Sequence, residues 1–152
     1  MTKSDATARD LLKVTMLLMR QLGARMRQTE KGIEPPQVGI LMRLSEKPLT
    51  LTELAAHQVV RLPTMSKSVG LLVDRGWLSR TIPANNRRQT IVAITPEGRR
   101  VLEKMGRHAE RHVTELLTAL NSAERRRIQA GLEILIRELD VAEPAKDKGT
   151  ES

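Results

Sequence analysis

Thr50-Leu51-Thr52-Glu53-Leu54-Ala55-Ala56-His57-Gln58-Val59-Val60-Arg61-Leu62-Pro63-Thr64-Met65-Ser66-Lys67 is the stretch that decides how this chain folds. Its first four residues read as a capping box, in which the Thr50 hydroxyl accepts from the Glu53 amide while the Glu53 carboxylate reaches back to the Thr50 amide. The helix opened there is brief, Leu51 to His57. Gln58-Val59-Val60 connects it to a second helix with Pro63 in its first turn, where the missing N–H is harmless. Met65, Val69 and Leu72 are spaced to face inward, with Val73 at the margin, and Arg75-Gly76 supplies the stop. Two short helices about a three-residue connection form a helix-turn-helix.

Beyond Gly76 the period changes. Trp77-Leu78-Ser79-Arg80-Thr81-Ile82 and Gln89-Thr90-Ile91-Val92-Ala93-Ile94 are β-branched, partly alternating runs. Between them lies the turn-rich basic loop Pro83-Ala84-Asn85-Asn86-Arg87-Arg88, so the pair is expected to form a hairpin. Upstream, Leu11, Val14, Leu18, Leu22 and Met26 draw one apolar stripe on a helix from about Ala6 to Gln28. Lys31-Gly32-Ile33-Glu34-Pro35-Pro36 breaks that helix, and a short one fits Gln37 to Ser45. Downstream, Thr95-Pro96 starts a helix carrying Val101, Met105, Ala109, Val113, Leu116 and Leu120, and Asn121-Ser122-Ala123-Glu124 caps a last one with Ile128, Leu132, Leu135 and Leu139. The tail, 141–152, is polar and without periodicity, and is expected to be disordered.

The expected fold is mainly α with a small β-hairpin (α+β). A winged helix-turn-helix lobe over 35–95 lies between N- and C-terminal dimerisation helices over 6–30 and 96–140, all within one domain of residues 1–152. The long apolar helices exceed what the small lobe can bury, so their stripes are expected to meet those of a second copy of the chain. Such a two-fold dimer would present two recognition helices to a pseudo-palindromic duplex.

Charge points the same way. The 152 residues hold 26 Lys and Arg against 18 Asp and Glu, a formal +8. Arg61, Lys67, Arg75, Arg80, Arg87 and Arg88 are opposed between residues 61 and 90 only by Asp74, so +5 of the +8 falls in thirty residues. Composition alone leaves a solvated basic face as the alternative. The coincidence of this cluster with the second helix and the hairpin favours a duplex-DNA phosphate backbone, with the helix in the major groove and the hairpin at the adjacent minor groove.

Composition also excludes functions. With no Cys or Tyr, only three His and no Gly-rich phosphate loop, the pieces of an enzyme site do not converge, and no cofactor is expected. Trp77 is the single large ring besides the His residues, too few for an aromatic single-strand platform. No apolar run approaches the roughly 20 residues of a membrane span, and no signal-peptide pattern opens the chain; a cytoplasmic protein without a membrane partner is expected.

Leu54-Ala55-Ala56 through Arg75-Gly76-Trp77-Leu78, the wing Asn85-Asn86-Arg87-Arg88, and Ile94-Thr95-Pro96-Glu97-Gly98 resemble the MarR family of bacterial and archaeal transcriptional regulators. The order of helices matches over about residues 6–140. The resemblance implies a homodimer that binds duplex DNA, often as a repressor, and often released by a small ligand lodged between the dimer helices and the DNA-binding lobe. It places Arg61, Pro63, Thr64, Ser66, Lys67 and Ser68 at the front of the recognition helix. Asn85, Asn86, Arg87 and Arg88 form the wing tip, where Arg88 occupies the position that usually enters the minor groove.

Two positions depart from the family pattern. Asn86 stands where an Asp commonly braces a wing arginine, so an acceptor remains without its charge. Arg61 stands where many members carry a Ser cap, a loss worth about 0.5–2 kcal/mol in typical hosts. Both put the sequence preference of binding in doubt rather than binding itself.

Several further residues carry a sharp and a plain reading. Met16, Arg20 and Met42 are candidate effector contacts, thioethers making adaptable walls and Arg20 (or Arg43) holding a carboxylate; methionines at helical spacing are otherwise core. His108 and His112, four apart on one helix, can chelate a metal with Glu30 or Glu34, although a solvated pair is the plainer reading and no metal site is expected. Trp77 is expected to anchor the wing. The function expected is a ligand-responsive dimeric transcriptional regulator. The alternatives are a constitutive or architectural DNA-binding protein without effector, and a metal-responsive regulator.

Overall fold

The computed structural model describes residues 3–142, with side chains over 6–139. In chain order it contains α1 (Lys3–Thr29), α2 (Pro35–Glu46), β1 (Leu49–Thr50), α3 (Leu51–His57), α4 (Leu62–Asp74), β2 (Leu78–Thr81), β3 (Ile91–Ile94), α5 (Pro96–Leu117) and α6 (Ser122–Ala142). The chain divides into two compact units after His112, within α5.

The first unit holds the core. Ile40, Leu41 and Leu44 of α2, Leu54 of α3, and Met65, Val69 and Leu72 of α4 are buried together with Trp77, Leu78, Val92, Val101 and Met105. Among the described residues no polar or charged one is buried, so this core is held by apolar burial. The inward positions expected for α4 are the ones that are buried, and Val73 is packed at the edge.

The hairpin is present but belongs to a three-stranded antiparallel sheet of order β1-β3-β2. Leu78 lies opposite Ile94 and Arg80 opposite Val92, while Leu49 and Thr50 pair with Val92 and Ile91. The extra strand is only two residues long, too short for any alternation to signal it. Its consequence is large, because it ties the entrance of α3 to the wing, and the Leu51 amide continues the ladder onto the Thr90 carbonyl at 2.9 Å.

Pro35 and Pro36 were expected to lie in a break before Gln37; instead they form the first turn of α2. Proline lacks only an N–H that no first-turn residue needs. Gly76, at φ 75, ends α4 in the left-handed conformation, with its amide on the Val73 carbonyl at 2.8 Å. Thr95 then does two things: its hydroxyl donates to the Gly76 carbonyl at 2.6 Å and accepts from the Gly98 amide at 3.0 Å. The turn after α4 is thereby tied to the start of α5, and Trp77 between them is only 5% exposed, as expected of an anchor.

In the second unit Asn121 and Glu124 form a reciprocal cap at 2.9 Å each way, and α6 leaves Ile128, Leu132, Ile136 and Leu139 exposed. In the first unit α1 exposes Leu11, Leu12, Val14, Met16 and Met19, while Leu18, Leu22 and Met26 are half-buried. Of the tail expected to be disordered, Val141 and Ala142 end α6 and 143–152 lie outside the described residues.

Candidate nucleic-acid interface

The capping box forms as the sequence predicts. The Glu53 amide donates to Thr50 Oγ1 at 3.2 Å and the Thr50 amide to Glu53 Oε2 at 2.7 Å. That backbone donor holds the Glu53 carboxyl below the usual carboxylate range against the opposing effect of partial burial, with the Thr50 hydroxyl, Lys47 and His57 adding smaller contributions.

The turn into α4 is closed by the Val59 amide on the Ala56 carbonyl (3.2 Å) and the Val60 amide on the Ala55 carbonyl (3.0 Å). To make it, Val59 adopts φ 52, the one positive φ outside glycine among the described residues, with its side chain 92% exposed. A β-branched residue in that region is strained. Nothing in the sequence pattern marked it.

Arg61 precedes α4 and makes no side-chain cap, as its lack of an acceptor dictates. With Met65, Val69 and Leu72 turned into the core, the other side of the helix carries Pro63, Thr64 and Lys67 exposed and Ser66 and Ser68 half-buried. The front expected of a recognition helix is therefore accessible at every named position.

In the wing, the Asn86 amide donates to the Pro83 carbonyl and the Gln89 amide to the Asn86 carbonyl, each at 3.2 Å. Asn86 Oδ1 accepts from the Arg88 amide at 3.2 Å, so it braces the backbone of the tip rather than an arginine head group. Asn85, Asn86, Arg87 and Arg88 are all exposed.

The six cations counted between residues 61 and 90 divide into two sets. Arg75 donates to the Lys31 carbonyl at 2.7 Å and lies over the Trp77 ring, 4.7 Å from its centroid. Arg80 donates to the Ser66 carbonyl at 2.6 Å. Both serve the fold, a role their contribution to net charge could not reveal. Arg61, Lys67, Arg87 and Arg88 are exposed and make no ion pair among the described residues. Between the starts of α3 and α4 and the wing lies an open cleft of about 350 Å³, bordered by Thr52, Leu62, Arg88, Gln89 and Thr90.

The other candidates lie apart. Met16 and Arg20 share an open groove of about 470 Å³ on α1 with Leu12, Lys13 and Leu17. Met42 is exposed on α2 and is not among the residues bordering that groove. Arg43 contacts His57 Nδ1 at 3.0 Å and Glu46 at 3.7 Å. His108 Nδ1 meets Thr29 Oγ1 at 3.0 Å and His112 Nε2 meets Gln21 Oε1 at 3.1 Å, so each ring is engaged with α1. Glu30 pairs with Lys104 and Glu34 with Arg27, and no group of three metal-ligating side chains occurs among the described residues.

Residues 31–89, from the loop before α2 to the wing, match the family model described as MarR family. A helix-turn-helix-type transcriptional regulator of Mycobacterium tuberculosis, MT0903.1, is 29% identical over 142 residues, covering 92% of this chain and 98% of the relative. The crystal structure of RV1404 from the same species superposes with a TM-score of 0.79 at 24% identity, over 96% of this chain and 99% of that one. A MarR family protein from Bacillus stearothermophilus gives a TM-score of 0.74 at 21% identity, over 92% and 99%.

Proposed function

This chain belongs to the MarR family of DNA-binding helix-turn-helix transcriptional regulators, and from that premise we propose that it acts as a homodimeric repressor of specific promoters whose grip on DNA is relieved by a small ligand. The observation that carries the reading is the exposed, unpaired cation set of Arg61 and Lys67 on α4 and Arg87 and Arg88 on the wing. Phosphate contacts by such cations position a protein on the duplex, while Thr64, Ser66, Lys67 and Ser68 have the donors and acceptors to read base edges. Arg88 is assigned to the minor groove, whose negative potential rises where the groove narrows.

Homodimerisation is supported by the apolar side chains that α1 and α6 each leave in water, which a second copy of the chain would cover. For the effector, the α1 groove with Met16 and Arg20 offers an apolar wall beside a cation, and Met42 belongs to this assignment as a separate α2 contact. A cytoplasmic location follows from the role.

The test is binding to the duplex immediately upstream of the gene and to a random duplex of equal length, with salt and candidate ligands titrated. A tight complex with the upstream duplex only, of a mass corresponding to two chains per site, is expected. Equal affinity for both duplexes would replace this reading by the architectural one; specific but ligand-insensitive binding would remove the effector alone.

A further inference from the structure

The cleft between the wing and the starts of α3 and α4 has a position that duplex geometry makes significant. A major groove and the minor groove beside it are separated by a single phosphodiester backbone. A protein that sets α4 in one and its wing in the other must let that backbone pass between the two elements. Leu62, the first residue of α4, Thr52 in the first turn of α3 and Arg88, at the wing tip, all border the cleft.

The cleft is lined for this purpose. Thr52, Gln89 and Thr90 bring two hydroxyls and an amide to it, and none of these side chains makes a hydrogen bond among the described residues. Its walls are fixed: the Leu51 amide is held on the Thr90 carbonyl, the Gln89 amide on the Asn86 carbonyl, and the neighbouring sheet pairs Thr50 with Ile91. The nearby negative charge is turned away, because the Glu53 carboxylate is engaged by the Thr50 amide and does not border the cleft. Neutral donors on a rigid frame suit an anion that must be positioned rather than neutralised.

We propose that this cleft receives the phosphodiester backbone dividing the two grooves, with Thr52, Gln89 and Thr90 donating to its phosphate oxygens. The proposal rests on the DNA-binding reading above and adds residues that charge and family pattern do not point to. Because these donors carry no charge, losing one should lower affinity without releasing fewer counterions, so the salt dependence stays as it was.

The experiment compares the wild-type protein with Thr52→Val and Gln89→Met on the upstream duplex, unmodified and with a single neutral methylphosphonate placed at each position in turn. Each variant is expected to bind the unmodified duplex roughly tenfold more weakly, with the wild-type salt slope, as befits a hydrogen bond to a charged acceptor. One methylphosphonate position per half-site should cost the wild type more than it costs either variant, because each variant has already lost one donor to that phosphate. Thr52→Ser, which keeps the hydroxyl, should bind as the wild type does. Variants of unchanged affinity, a reduced salt slope, or methylphosphonate losses equal in variant and wild type at every position would each overturn the assignment. A wild-type protein that binds no duplex would overturn the functional reading as well, a result distinct from failure of the cleft alone.

Discussion

Arg80 of β2 donates through Nη2 to the backbone carbonyl of Ser66 in the middle of α4, at 2.6 Å. This charge-assisted bond joins the wing to the recognition helix directly, in addition to the core beneath them. It ties together the two elements that the proposed binding mode sets in two grooves of one duplex. Arg80→Ala should leave an exposed position folded, yet weaken specific DNA binding roughly three- to tenfold, in line with one such bond. Its salt slope should match wild type, whereas Arg88→Ala should lower the slope by about one per half-site. Fluorescence anisotropy over a range of salt separates the two; a slope loss for Arg80→Ala would make Arg80 a phosphate contact instead.

The basic cluster shows where sequence reading succeeds and where it stops. Local signals carried the helix-turn-helix: the Thr50 cap, Pro63 in a first turn and Gly76 at a helix end each act through neighbours a few residues away. Long-range partners carried no such signal. The Arg75 bond to the Lys31 carbonyl spans 44 residues, and β1 exists only because Leu49 and Thr50 find Val92 and Ile91. Equal formal charges therefore divide between fold and surface in a way that composition could not separate.

Val59 combines a left-handed φ of 52 with a side chain in water, so its conformational cost is offset by almost no burial. Strain of this kind costs about 1–3 kcal/mol, while glycine loses about 0.5–1 kcal/mol through its freer unfolded chain. Val59→Gly is accordingly expected to raise the unfolding free energy by about 1 kcal/mol. Urea denaturation monitored by Trp77 fluorescence would register the change in midpoint, and a destabilised variant would show that the Val59 side chain stabilises the turn by more than its strain costs.

Gly98 sits where α5 begins against the Trp77 backbone, and a Cβ there would overlap the Trp77 carbonyl and crowd Ile94. Backbone cannot swing aside as a side-chain end can. That carbonyl also accepts the Thr95 amide at 3.0 Å. Gly98→Ala should therefore destabilise the lobe by about 1–3 kcal/mol, the usual cost of overpacking a core. Gly106→Ala on the same helix, with open space around its Cβ position, is the control and should be neutral or stabilising. Equal thermal midpoints for the two variants would contradict the close approach.

Glu53 makes one part of this stability depend on pH. Its carboxyl is held below the ordinary value of 4.5, chiefly by the Thr50 backbone N–H, so the folded state favours the carboxylate. The contribution of the charge is thus present in full above the unfolded-chain value and is lost as the pH falls through the lower, folded one. Glu53→Gln retains an acceptor for the Thr50 amide but has no charge to lose. Urea unfolding of both proteins between pH 7 and pH 3 should show the wild type more stable at neutral pH, the gap narrowing as the solution is acidified below about pH 4.5. A gap that stayed constant across that window would mean that the capping bond stabilises α3 through geometry alone, with the carboxylate charge contributing nothing.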